Sequence, residues 1–113
     1  MERARRLRKG TEFDTAFAKG TVTGSSLFAV RYVSNESERT RWGFAVGKRL
    51  AKRAVVRNRL KRRIREIVRR LDVAPGYDVV LVARAPALAA DHSGLEHGVE
   101  QLLQRAGLLG QSP

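Results

Sequence analysis

Cysteine is missing altogether from this chain, so it can build no disulfide framework, cysteine zinc site or thiol nucleophile. Aromatic residues are few, with one Trp, two Tyr and four Phe among 113 residues. Long hydrophobic runs are missing too, and a stretch such as Val79–Ala83 is far too short to span a bilayer. The start, Met1–Lys9, is charged and is not followed by the apolar run of a signal peptide. Acidic residues are scarce, 11 against 23 basic ones, giving a formal net charge of +12. The length suits one small domain, 1–113, with a single core. These absences leave the expectation of a soluble, cytoplasmic, strongly basic domain whose partner is a polyanion.

The charge is concentrated. Residues 1–40 carry a net +3 and residues 71–113 a net −3, so residues 41–70 alone account for +12, with 13 basic side chains against the single acid Glu66. Such a distribution marks a footprint on one surface rather than general solubilisation. Of the 23 basic residues 18 are Arg, whose guanidinium forks match phosphate oxygens two at a time and also stack on bases. An overall bias toward Arg would produce the same composition, and composition does not choose between DNA and RNA.

No internal repeat, low-complexity tract or Pro/Gly linker divides the chain. Thr11-Glu12-Phe13-Asp14 resembles a capping box and predicts a short helix to Lys19, ended by Gly20, with Phe13, Ala16 and Phe17 on one face. Ser26–Ser34 alternates as a strand, with Phe28, Val30 and Tyr32 on one side and Ala29, Arg31 and Val33 on the other. The polar stretch Asn35–Thr40 reads as a hairpin connection to a second strand, Arg41–Lys48. In that strand Trp42, Phe44 and Val46 face one way, while Gly43, Ala45 and Gly47 face the other. The bulky face is expected to pack on a helix, and the bare face lets another molecule approach the backbone closely.

From Arg53 to Leu71 the period becomes helical, with Val56, Leu60, Ile64, Ile67, Val68 and Leu71 as the apolar stripe. Asn58, Arg62, Arg65 and Arg69 fall in a strip opposite it. Pro75-Gly76 ends this unit. Tyr77–Arg84 is a strand apolar on both faces, and therefore internal to its sheet. Ser93-Gly94-Leu95-Glu96 reads as a capping box opening a last helix, which Gly107 or Gly110 terminates. The order of elements predicts an α+β sandwich.

No G-x-S-x-G elbow, Walker loop or H-E-x-x-H motif is present, so a catalytic site made of polypeptide alone is not expected. His92 and Glu96 have the i,i+4 spacing of a metal pair, but a solvated pair at a helix start accounts for them as well. The nucleic-acid signals are stronger. Lys48-Arg49, Lys52-Arg53, Arg57-Asn58-Arg59 and Lys61-Arg62-Arg63 follow one another with almost no acidic neighbours. Unneutralised positive charge on one helix repels itself, which argues against an ordinary solvated face. Phe13 and Phe17, one helical turn apart, suit either a core or a platform for single-stranded RNA bases.

The run Arg57-Asn58-Arg59-Leu60-Lys61-Arg62-Arg63-Ile64-Arg65-Glu66 resembles the RNR signature of the protein subunit of bacterial ribonuclease P. The resemblance extends over nearly the whole chain. Arg5–Lys9 precedes Phe13-x-x-x-Phe17-x-x-Gly20, then come Gly43-Phe44-Ala45-Val46-Gly47-Lys48-Arg49, the signature helix and Val82-Ala83-Arg84-Ala85-Pro86.

The resemblance implies a two-layer αβββαβα sandwich with a mostly antiparallel sheet and a left-handed βαβ crossover. It also implies a protein cofactor to a catalytic RNA that, with Mg2+ held mainly by the RNA, hydrolyses the phosphodiester at the 5′ end of mature tRNA. By position, Arg53, Arg57, Asn58, Arg59, Lys61, Arg62 and Arg65 then meet the RNA subunit. Phe13, Phe17, Arg31, Ala45, Gly47 and Lys48 line a cleft for the single-stranded leader of precursor tRNA. The implied partners are ribonuclease P RNA, one protein per RNA subunit, and precursor tRNA, with no membrane and no metal site on the protein. Arg31 stands where some relatives have an aromatic residue, and Gly47 where many have Ser.

Two other readings share the charge pattern: a structural RNA-binding protein of the ribosome or its assembly, and a DNA-binding module using the 53–71 helix. The helix lacks the mixed base-reading side chains that a major-groove reader presents.

Overall fold

The computed structural model describes residues 20–109. Their elements run β1 (Thr21–Gly24), β2 (Phe28–Ser34), β3 (Arg41–Ala45), α1 (Ala54–Arg69), β4 (Tyr77–Ala83), α2 (Ala85–Ala89) and α3 (His92–Arg105). The helix expected over residues 11–19 lies outside the described residues.

The four strands form one sheet in the order β1-β2-β4-β3. β1 and β4 both pair antiparallel with β2, while β3 runs parallel to β4, to which it is joined through α1. The sheet is thus mostly antiparallel, as expected, and β4 is internal. Val79, Val80 and Leu81 are essentially inaccessible to solvent, which is why the strand is apolar on both faces.

That central position overturns the hairpin reading of Asn35–Thr40, because β2 and β3 are not neighbours and β4 lies between them. The linking segment instead folds over the entry to β4. The Asn35 amide donates to the Gly76 carbonyl, and the Thr40 hydroxyl donates to the Ala74 carbonyl while accepting from the Tyr77 amide. Gly76 has φ of +89°, a conformation that side chains strain to adopt, so Pro75-Gly76 turns the chain sharply into the strand.

One face of the sheet carries Phe28, Val30, Trp42, Val79 and Leu81 into the main core. Leu60, Ile64, Ile67 and Val68 of α1 and Leu95, Val99, Leu102 and Leu103 of α3 close over it, so helices and sheet form two layers. The predicted stripe of α1 is therefore the buried one, with Val56 and Leu71 at its half-buried ends.

On the other face the register aligns Arg31 with Val80 and Gly43, and Ala29 with Val82 and Ala45. Val80 is buried there among Val33, Ala45 and Val82.

Strand β3 stops at Ala45, three residues before its expected end. Val46 still enters the core, but Leu50 and Ala51 both donate to the Gly47 carbonyl and close a turn. At the other end of the chain, α3 is capped by Asp91 rather than by Ser93. Its Oδ1 accepts from the Gly94 amide at 2.8 Å, two residues earlier than the capping box implied. Gly107, at φ of +76°, ends the helix in a Schellman motif, with Leu108 N–H on the Leu103 carbonyl and Gly107 N–H on that of Gln104. Two elements were not read from periodicity. β1 is too short to show alternation, and α2 is signalled only by Pro86 in its first turn.

Candidate nucleic-acid interface

Helix α1 has no acidic residue in its first turn, and its N-cap, Arg53, makes no side-chain capping bond. Negative charge or a capping oxygen normally stabilises this end of a helix. Here Lys48, Arg49, Lys52 and Arg53, all exposed, surround it with positive charge instead. The Arg57 guanidinium holds the approach together, its Nη1 donating to the carbonyls of Ala51 and Lys52 at 2.8 Å each. Part of its bonding capacity therefore serves the turn that displays its neighbours.

Burial of the apolar stripe fixes how the other residues project. Asn58, Arg59 and Arg62 are exposed, and Lys61 is half-buried. Arg65 departs from the expected solvated strip. It lies on the flank toward β3, half-buried, with Cζ 5.7 Å from the centroid of the Phe44 ring. Of the expected RNA-subunit residues, Arg53, Asn58, Arg59 and Arg62 are thus exposed on the turn and the solvent side of α1, while Lys61 and Arg65 are half-buried, Arg65 toward β3.

The second group divides differently. Arg31 and Ala45 lie on the sheet face away from the helices, separated by β4 and hence by roughly 10 Å of sheet. Gly47 and Lys48 sit beyond the end of β3 on the exposed turn into α1. A Cβ placed on Gly47 would have nothing within 4 Å, so internal packing does not require glycine there. Phe13 and Phe17 lie outside the described residues. The turn at 47–53 therefore connects the bare sheet face to the basic helix.

Three further cations belong to this surface by position and were not included in the sequence-derived sites. Arg49 and Lys52 share the turn, and their place in a run of basic residues was the available signal. Arg84 follows β4 by one residue, its backbone N–H donating to the Leu27 carbonyl. It lies so close to Gly24 that a Cβ there would meet Arg84 Nη2 at 2.8 Å.

His92 and Glu96 do meet, Nε2 to Oε2 at 3.6 Å, but both side chains are about half exposed. Among the described residues no group of three or more His, Asp or Glu side chains could hold a metal ion, and no helix is long and apolar enough to cross a membrane. A cleft of about 650 Å³ lies at the opposite end of β3, lined by Arg39, Trp42, Arg69 and Asp72 among others, and contains none of the sequence-derived site residues.

With this geometry in view, the comparisons with known proteins are specific. The model of the Ribonuclease P family matches residues 1–107. The Ribonuclease P protein component of Roseiflexus castenholzii is 42% identical over 112 residues, covering 96% of this chain and 91% of the relative. That of Symbiobacterium thermophilum is also 42% identical over 112 residues, with 96% of each chain covered. Among solved structures, the RNase P protein of Staphylococcus aureus superposes with a TM-score of 0.86 at 30% identity, over 96% of this chain and all of that one (100%). The protein from Thermotoga maritima gives 0.81 at 29% identity, over 88% of this chain and 96% of that one. The chain belongs to the ribonuclease P protein family, the RNA-binding protein part of an endoribonuclease that processes tRNA.

Proposed function

We propose that this chain, as one RNA-binding domain, binds the ribonuclease P RNA through α1 and the turn before it, and guides the 5′ leader of precursor tRNA across the bare sheet face. The observation that carries this reading is the placement of the 41–70 charge: 12 of its 13 basic residues, all but Arg41 on β3, lie with the one acid between Lys48 and Arg70, on a single turn and helix at the edge of that face. Arg53, Asn58, Arg59, Lys61, Arg62 and Arg65 engage phosphates and 2′-hydroxyls of the RNA subunit, while Arg57 both supports the turn and faces RNA. Arg31, Ala45, Gly47 and Lys48 line the path of the leader, together with Phe13 and Phe17.

The chemistry belongs to the RNA subunit with Mg2+ held mainly by RNA. Water attacks the scissile phosphorus, leaving a 5′-phosphate on the tRNA and a 3′-hydroxyl on the leader. The polypeptide contributes position and charge. It holds the leader, so precursor binds better than product, and its cations offset repulsion between two polyanions. One protein serves each RNA subunit, in the cytoplasm.

Reconstitution tests this reading. Adding the protein to a bacterial ribonuclease P RNA and a precursor tRNA at low Mg2+ restores 5′ cleavage; absence of stimulation with any bacterial RNA subunit overturns it. A ribosomal or assembly role predicts no stimulation, and family membership disfavours that alternative.

Two substitutions refine the map. Arg62→Ala, on an exposed position, lowers affinity for the RNA subunit about tenfold and reduces the log–log salt slope by about one phosphate contact, with no change in melting temperature. Gly47→Leu keeps the melting temperature within about 2 °C, because the position is exposed and a Cβ there has no neighbour within 4 Å. It weakens binding of precursor but not of mature tRNA in the holoenzyme. Equal weakening of both would place Gly47 outside the leader path.

A further inference from the structure

Phe44 stands apart from the other large residues of its strand face. Trp42 and Val46, before and after it, are 5% and 7% exposed and belong to the core, whereas Phe44 is only partly buried, on the edge strand of the sheet. Its ring is parallel to that of Trp42, with an interplanar angle of 3° and centroids 6.1 Å apart. The Arg65 guanidinium lies over the same ring. A buried indole thus fixes the orientation of a half-buried ring, and the ring offers its π face to a cation on the helix packed beside it.

Arg side chains are long and rotamer-rich, and ordering one on binding is costly. A cation already resting on an aromatic face has lost part of that freedom before RNA arrives.

We propose that Phe44 is a positioning residue that pre-orients Arg65 for a phosphate of the RNA subunit. The inference rests on the RNA-binding reading of α1 given above. Phe44 touches no RNA in this arrangement, and Trp42 supports it in turn.

The test uses the full chain and a bacterial ribonuclease P RNA subunit, with affinity measured across a series of salt concentrations. Phe44→Leu keeps an apolar side chain of similar bulk but removes the π face. It is expected to weaken binding about three- to tenfold and to flatten the salt slope toward that of Arg65→Gln, whose own slope falls by about one contact. Phe44→Tyr restores both. In the Arg65→Gln background Phe44→Leu has no further effect on affinity, whereas a merely structural role for the ring makes the two losses additive. Should Phe44→Leu fold poorly, Phe44→Met and Phe44→Tyr give the same comparison. A flattened slope for Arg65→Gln combined with an unchanged slope for the Phe44 variants overturns the positioning role alone. An unchanged slope for Arg65→Gln removes the RNA contact itself, and the platform with it.

Discussion

Replacing Arg49, Lys52 and Arg53 together with glutamine is expected to lower affinity for the RNA subunit by on the order of a thousandfold near 0.1 M salt. Three phosphate contacts, each releasing most of one counterion, also make the log–log salt slope shallower by about three units. The three side chains are exposed, so their removal opens no cavity. They crowd the positive end of the α1 dipole, where no acid and no capping side chain offsets them. Folding is therefore expected to tolerate the change, with a melting temperature unchanged or a few degrees higher. Loss of affinity with gain of stability is the signature of charge kept for a partner. A drop in melting temperature alongside unchanged binding would instead make these residues structural.

The direction of this trade was legible in the sequence, because charge density and the apolar stripe of α1 are both local. The stripe fixes which side is buried, and Leu60, Ile64, Ile67 and Val68 are in fact the buried residues of the helix. The bare face of β3 followed from alternation alone, and the central place of β4 from its being apolar on both sides.

What local pattern could not supply was strand order. A polar stretch between two strands is a hairpin in most contexts. Here Asn35–Thr40 passes over a strand that appears in the chain only after a whole helix, and its side-chain bonds go to that strand. The displacement of Arg65 has the same origin, since the ring that attracts it sits on another element. The α3 cap was missed differently. Asp91 and Ser93 are both acceptable N-caps, and the Gly94 amide selects between them. The alignment of Arg31 with Val80 and Gly43 depended on register, which no single strand reveals.

Asp78→Ala is expected to destabilise the fold by about 3 kcal/mol, lowering the melting temperature by roughly 10–15 °C. Asp78 is one of two buried polar or charged residues among those described, 5% exposed, on the face of β4 away from the helices. Its Oδ1 accepts from Arg41 Nε at 2.8 Å and from Asn35 Nδ2 at 2.9 Å, and its Oδ2 accepts from Arg41 Nη2 at 2.8 Å. The carboxylate therefore ties the start of β3 and the loop after β2 to the strand between them. Loss of the carboxylate withdraws a bidentate partner from Arg41, whose side chain is only 32% exposed, and an acceptor from Asn35. Asp78→Asn keeps the size and one acceptor, so its cost is smaller, about half. A surface ion pair would behave otherwise, since screening leaves it worth about 0–1 kcal/mol. Thermal melts of the two variants decide the matter, and a loss under about 3 °C for Asp78→Ala would show that solvent already screens the pair. Arg41 shares its face with Gly43 and Ala45, so loosening this corner also disturbs the surface proposed for the leader. Asp78→Ala should accordingly impair precursor binding more than Arg62→Ala does once the temperature approaches its lowered melting point.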